Sequence, residues 1–367
     1  MRVLHILTDQ MLGGAGRCVL SLARWARVKN GLDIKNGLDV AVIVPEGSDL
    51  VQEFEKLGVQ TIQAQNIKNE SFSLKAVPGL ARMIKESKAD IVHTHASLSG
   101  RMAARLAGKK VVVTRHCAYE ISKARFPKSL ASSIANTLLA DAYIAVSPAV
   151  VNDLIAIGAP KNRINVIFNG VEESLRTSPG EREKARRELG LSKEDFVAAI
   201  IARLVDVKGH DTVIQAAREL PDVKFLIAGA GPMEEELKRL SSGLENVLFL
   251  GFVKDIGRIE NITDLQINAS YGTEATSMSL ISGFSLGVPA VASDFGGNPH
   301  VVRDGENGII FKQRDSKALA DAIRLLKKDE LRAKMGSRAR EIYLEKFTLE
   351  AMGKATHELY QKIANNA

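Results

Sequence analysis

Short runs of Val, Ile and Leu alternate along this chain with longer amphipathic stretches, and the whole alternation plays through twice. Parallel strands buried on both faces need helical crossovers to cover them, so the rhythm points to βαβ units. In the first half the strand candidates are 3–7, 40–44, 91–93, 111–114, 143–146 and 166–168, closed by the turn Asn169-Gly170. The second series runs 197–202, 224–228, 247–250, 265–268, 290–292 and 308–311. Between them a charged stretch, 172–194, reads as a solvated helix beyond the junction. The expectation is an α/β chain with domains at 1–168 and 169–348 and a last helix, about 349–367, packing back on the first. Open sheets of this kind bind ligands at the C-terminal ends of their strands.

Composition then narrows the function. With 367 residues, 45% of them hydrophobic, there is enough chain for two cores. No apolar run reaches the roughly 18 to 20 residues of a membrane-spanning helix. The apolar start, 1–8, meets Asp9 at once and does not read as a signal peptide. Two cysteines, Cys18 and Cys117, cannot frame a chain this long with disulfides. They fit a reducing, cytoplasmic compartment as small buried apolar residues. No Cys/His cluster has zinc spacing, so no metal and no cofactor is expected. A net charge of +7 favours anionic partners: phosphorylated small molecules or an anionic membrane face. Aromatic residues are 5% and no recognition-helix motif occurs, so nucleic acid is not expected. Lys-Asn-Gly-Leu-Asp appears at 29–33 and again at 35–39, too short for a solenoid repeat and read as a duplicated loop.

Three segments carry chemistry. Gly13-Gly14-Ala15-Gly16 follows the first strand and opens a helix, where bare backbone and unpaired amides suit a phosphate. A tight turn alone, or a dinucleotide site, would look the same. Arg203 and Lys208 stand five apart across the loop after the first strand of the second series. There a guanidinium fork and an ammonium can meet one diphosphate, or remain solvated loop charges. Glu274 precedes Ala275-Thr276-Ser277, which caps a helix from about Met278 to Leu286, and amides at that start face an anion.

Taken in order, Arg203 with Lys208, Gly229-Ala230-Gly231-Pro232, Leu250-Gly251-Phe252-Val253, Glu274, Gly287-Val288-Pro289 and Ser293-Asp294-Phe295-Gly296-Gly297-Asn298-Pro299 resemble the retaining glycosyltransferases of the family-four, group 1 type. The likeness extends into the first half through the glycine loop, His93-Thr94-His95, Thr114-Arg115-His116 and the junction Asn169-Gly170-Val171. It implies the GT-B class, two Rossmann-like parallel-sheet domains facing each other across a cleft. The implied roles are these: Arg203 and Lys208 on the donor diphosphate without a divalent metal, Glu274 on donor-sugar hydroxyls, and the Met278 and Ser279 amides on the distal phosphate. Phe252 and Val253 would lie near the base, Gly14 and Gly231 would let donor and backbone approach, and His116 would reach the transferred sugar. For His93 and His95 simple strand-end packing is the plainer reading.

One departure matters. The family usually has a second glutamate eight positions after the first, accepting from the nucleotide ribose, and that position here is Ser282. A serine is shorter and uncharged, so Ser282→Glu is expected to tighten donor binding. His300 is a smaller departure, standing where an acidic residue is common. The implied activity is transfer of a hexosyl unit from a nucleoside diphosphate sugar to a sugar or lipid-linked acceptor. A catalytically impaired nucleotide-sugar-binding protein and another GT-B enzyme, an epimerase or a phosphorylase, stay open as alternatives. Lys75, Arg82, Lys85 and Lys88, with Lys123, Arg125 and Lys128, put positive charge beside Phe72, Leu74, Phe126 and Leu130. Such faces either rest on the inner, anionic membrane surface or are plain solvated helices.

Overall fold

The computed structural model describes residues 1–27, 37–117 and 130–365, and these form two compact α/β units. The first runs to Gly170 and includes the final helix, Leu349–Asn365; the second spans Val171–Thr348.

The first unit carries a seven-stranded, all-parallel sheet. Its strands are β1 (Arg2–Ile6), β2 (Asp39–Pro45), β3 (Gln60–Ala64), β4 (Ile91–His95), β5 (Lys110–Arg115), β6 (Ala142–Ala145) and β7 (Ile164–Val166). They lie in the order β3-β2-β1-β4-β5-β6-β7. Six of the seven overlap the sequence expectation. The missing one is β3, an edge strand whose Gln60 and Gln63 break the apolar run that betrays the others. The second unit has β8 (Phe196–Ile201), β9 (Val223–Ala228), β10 (Val247–Gly251), β11 (Leu265–Asn268), β12 (Ala290–Ser293) and β13 (Gly308–Phe311). Their order is β10-β9-β8-β11-β12-β13, again all parallel.

In each sheet the strand order reverses beside the first strand: between β1 and β4, and between β8 and β11. Crossovers leave to opposite faces there, opening a crevice at the strand ends. The loops that follow β8 and β11 carry Arg203 and Glu274, so the second fold delivers both to its own crevice. The first brings His5, at the end of β1, into register with His93 on β4.

The charged stretch before β8 differs from the expectation. Its helix, Pro179–Glu188, starts in a capping box between Ser178 and Glu181, and one face is not solvated. Arg186 is 3% exposed, donates to the carbonyls of Ile262, Lys193 and Asp195, and pairs with Asp264 at 2.7 Å. A guanidinium has enough donors to satisfy several carbonyls at once, which is why it tolerates burial here. Cys117 is exposed rather than buried, while Cys18 is partly covered and its thiol is pushed up to about 12 by burial. Most of the duplicated loop lies outside the described residues, as do Lys123, Arg125, Phe126, Lys128 and the Leu130 side chain. No helix among the described residues is long and apolar enough to cross a membrane.

The final helix belongs to the first core. Tyr360 is fully buried there, Trp25 Nε1 donates to Glu350 at 2.8 Å, and Met352, Leu359 and Ile363 join Val19, Leu22 and Ile144. Gly353 lets the helix approach, since a Cβ there would lie 2.1 Å from Trp25 Cδ2. Gly353→Ala should therefore cost about 1–3 kcal/mol by overpacking. Gly79→Ala, in a helix with no atom within 4 Å of the added carbon, should be neutral or stabilising. Thermal unfolding of the pair checks this; equal midpoints would show that the indole yields freely.

Candidate active site

In the second unit the loop after β8 is fixed to its neighbours by backbone bonds: Ala202 N to Ala228 O, Leu204 N to Ala230 O and Tyr271 N to Val207 O, each 3.0 Å. A 3₁₀ turn, Asp206–Lys208, ends at Gly209, where a φ of +68° and the 2.1 Å at which an added Cβ would meet Ala269 O exclude any side chain. Lys208 is thereby turned inward. Its Nζ donates to Glu274 Oε2 at 2.9 Å and to Thr273 O at 3.1 Å. Asn268 Nδ2 and Ser270 Oγ reach the same oxygen at 3.1 and 3.2 Å. The pair is mostly shielded, with Lys208 17% and Glu274 11% exposed in their side chains. An ammonium has three protons, so one N–H of Lys208 remains for another acceptor.

The backbone of Glu274 is held as firmly. Gly297 N donates to Glu274 O at 2.9 Å, and a Cβ on Gly297 would sit 1.7 Å from Ala275 O. The glycine-rich turn is thus a clamp on the segment carrying the carboxylate. Ser277 caps the helix Met278–Ser285, accepting from Leu280 N, and the amides of Met278 and Ser279 open its first turn. Such amides have no partner inside the helix.

The structure joins Lys208 to Glu274 and sets the helix start four residues beyond it. Arg203 is exposed, and among the described residues its side chain has no hydrogen-bond or ion-pair partner. Gly231 packs on the same loop, its missing Cβ only 2.3 Å from Leu204 O. Phe252 is 73% exposed, whereas Val253 packs against a small core with Val197 and Leu226. Ser282 is engaged in a contact that spacing along the chain does not reveal. Its hydroxyl donates to Glu260 Oε2 at 2.8 Å, and Ser174 Oγ donates to the same oxygen at 3.0 Å. Glu260 lies on the helix Ile256–Ile262 beside the buried Ile259 and Ile262, where spacing reads as an ordinary amphipathic turn.

In the first unit four imidazoles gather where β1, β4 and β5 end. His5 Nδ1 meets His95 Nε2 at 3.0 Å, and His95 Nδ1 meets His116 Nε2 at 2.7 Å. His93 bonds Tyr360 Oη at 2.5 Å and Thr114 Oγ1 at 2.6 Å. The plain packing reading of His93 and His95 gives way to a polar network. Three of these rings, His5, His93 and His95, have nitrogens close enough to suggest a metal group. They are stacked at interplanar angles of 17–39°, and near-parallel rings do not aim their lone pairs at one centre. Beside them a cavity of about 20 Å³, lined by Thr114, Asn169 and Met352 among others, has room for a water.

His5, His95 and His116 share two hydrogen bonds, so in the neutral state their three protons have two arrangements. Either every ring donates towards His116, whose Nδ1 then carries the surplus proton, or every ring donates towards His5, whose Nε2 carries it. Those two terminal nitrogens are the ones left without a partner. His116 Nδ1, the end beyond β5, is therefore donor or acceptor according to the whole row.

Gly14, the first residue of the helix Gly14–Ala26, has open space where a side chain would stand. Gly16 is the glycine that packing requires, since a Cβ there would lie 2.9 Å from the Leu50 side chain.

Burial, with a smaller push from the His116 imidazole, lowers the pKa of His5 to about 3, and burial lowers that of His116 to about 4. His93 and His95 are also well below their ordinary value, first through burial and then through the other rings. The unfolded chain binds these protons near pH 6.5 and the folded chain refuses them. Stability is then full above about 6.5 and is lost as pH falls towards the folded values, by up to about 1.4 kcal/mol per pH unit for each ring. The thermal midpoint should fall steadily from pH 7 to pH 4, and His116→Asn should make the fall shallower. A flat profile would mean that the rings are charged in the fold.

Sequence comparison decides the family. The model for glycosyl transferases group 1 matches residues 181–342, and that for Glycosyltransferase Family 4 matches 12–175. A putative glycosyltransferase of Bacillus subtilis, EpsD, is 31% identical over 300 residues, covering 74% of this chain and 77% of its own. The chain is a family-four glycosyltransferase. The N-acetyl-alpha-D-glucosaminyl L-malate synthase of Bacillus anthracis is 27% identical over 306 residues, covering 80% of each chain. The fold agrees with the GT-B class. Anabaena HepE, solved with UDP and glucose, superposes with a TM-score of 0.84 at 24% identity over 99% of this chain and 100% of its own. A Rickettsia africae glycosyltransferase gives 0.85 at 22% identity over 100% and 99%. In this glycosyltransferase the group 1 match takes in Arg203, Lys208, Glu274 and Ser282, and the Family 4 match takes in Gly14 and His116.

Proposed function

We propose that this glycosyltransferase moves a hexosyl unit from a nucleoside diphosphate sugar to an acceptor hydroxyl with retention, in making a cell-envelope glycolipid, polysaccharide or glycoconjugate. The observation that carries the reading is the Glu274 carboxylate, pinned by Lys208, Asn268 and Ser270 in the loop after β11, four residues before a helix start. That grouping offers a sugar a fixed acceptor and a diphosphate fixed positive charge. HepE, solved with UDP and with UDP-glucose, supports a donor of this class.

In this reading Arg203 and the remaining N–H of Lys208 take the diphosphate, with the Met278 and Ser279 amides on its distal phosphate. Glu274 accepts from the sugar hydroxyls, Phe252 and Val253 flank the base, and Gly14 and Gly231 leave backbone open to approach. His116 Nδ1 reaches the transferred sugar. The C1–O bond breaks with both electrons passing to the diphosphate, where cations already in place stabilise the growing charge. The acceptor oxygen bonds C1 on the same face and gives its proton to a diphosphate oxygen. No residue is assigned as a covalent nucleophile. Arg203, Lys208 and the helix amides supply the charge that a divalent metal gives elsewhere.

Arg203→Ala and Lys208→Ala should each lower turnover on the order of 100-fold, read as nucleoside diphosphate released with a new glycosidic product. A chelator should leave wild-type turnover unchanged. Both variants at wild-type rate would remove the diphosphate assignment. Binding without product would favour an impaired binding protein, and product without a new glycosidic bond an epimerase.

For the acceptor, the first unit exposes Lys75, Arg82, Lys85 and Lys88 beside Phe72 and Leu74, which are 48% and 63% exposed. Charge with interleaved apolar groups suits an anionic membrane carrying a lipid-linked acceptor. The protein should sediment with anionic liposomes at low salt and be released at high salt. Equal recovery with neutral liposomes would sink this arm of the proposal.

A further inference from the structure

Glu260 takes no part in the chemistry assigned above, yet it is 1% exposed. Among the described residues no cation pairs with it, and its Oε1 has no hydrogen-bond partner. A buried carboxylate left this way is costly, and a glutamine would serve a purely structural position better. Its Oε2 gathers two hydroxyls, those of Ser282 and Ser174, which are also 3.1 Å from each other. Ser282 is the residue standing where the resemblance puts a ribose-binding glutamate. The carboxylate missing from that helix is present one helix away, directly behind the serine.

We propose that Ser282 and Glu260 together form the ribose subsite: the Ser282 hydroxyl donates its hydrogen bond to Glu260 Oε2 and offers its lone pairs to the ribose diol. The inference rests on the nucleoside diphosphate donor proposed above. A serine has a single proton, so once Glu260 holds it the oxygen can only accept, and the carboxylate polarises it into a better acceptor. Glu260 acts through Ser282 and is a positioning residue. Burial raises its carboxyl to about 7, against the lowering by the Ser282 and Ser174 hydrogen bonds, and Asp255 raises it further. The group is thus poised between its two forms, and a diol donating to Ser282 favours the ionised one. The expected effect of Ser282→Glu is also reversed. A second carboxylate would face the first across a serine-length gap, and binding should weaken rather than tighten.

The test uses the full chain and whichever of UDP, GDP and ADP binds it most tightly, compared with the 2′,3′-dideoxy form of that nucleotide, by calorimetry. Wild type should prefer the ribose form by about tenfold, the effect expected of one charge-assisted hydrogen bond. In Glu260→Gln and in Ser282→Ala the preference should shrink to within about twofold, while the dideoxy form binds as before. The exchanged pair, Glu260→Ser with Ser282→Glu, should restore the preference that Ser282→Glu alone loses. An unchanged preference in Glu260→Gln or Ser282→Ala overturns the subsite, as does tighter binding in Ser282→Glu. If Glu260→Gln fails to fold, Ser282→Ala and the exchanged pair still decide. Arg203→Ala separates the two levels. If it loses binding while the ribose preference ignores Glu260, the subsite alone falls. If wild type binds none of the three nucleotides, the donor reading falls and takes the subsite with it.

Discussion

The Glu274 carboxylate is held from three sides, and most of what the second unit presents at its strand ends follows from that. Lys208, Asn268 and Ser270 come from the loop after β8 and from the end of β11, so the adjacent strands must be in register before they can meet one oxygen. The backbone beneath is clamped by Gly297. Partners that belong to different strands make the placement a property of the sheet rather than of a loop. A charge held in this way does not reorganise when a ligand arrives, which is where fixed dipoles gain their effect.

Glu260 shows the opposite economy. One carboxyl stays in the interior with few partners and reaches outwards through a hydroxyl. The helices Ile256–Ile262 and Met278–Ser285 supply one member each of the Glu260–Ser282 contact. Read along the chain, the two residues are unremarkable: one is an acid beside apolar neighbours, the other a serine in a helix.

Period and composition made much of the fold legible. Strand β13 coincides with the apolar run 308–311, because an all-parallel sheet buries both faces and leaves its mark as continuous hydrophobicity. Strand β3 was hidden because an edge needs no such run. Arg186 was misread because a charge run says nothing about which member turns inward to meet Asp264. At the site, residues fixed by local chemistry could be named from the sequence, the Ser277 cap among them. Contacts between distant segments could not: the row from His5 through His95 to His116 unites three strand ends, and no spacing announces it.

The final helix carries a consequence for how the chain comes into being. Residues 171–348 are continuous, so that half can close on itself as soon as it has left the ribosome. The half made first must wait. Until Leu349–Asn365 emerges, Trp25 lacks Glu350 and His93 lacks Tyr360, and an oily seam lined by Val19 and Leu22 stays open to water or to a chaperone. The order of maturation is therefore the reverse of the order of synthesis, and a premature stop ahead of Leu349 would damage the portion translated first.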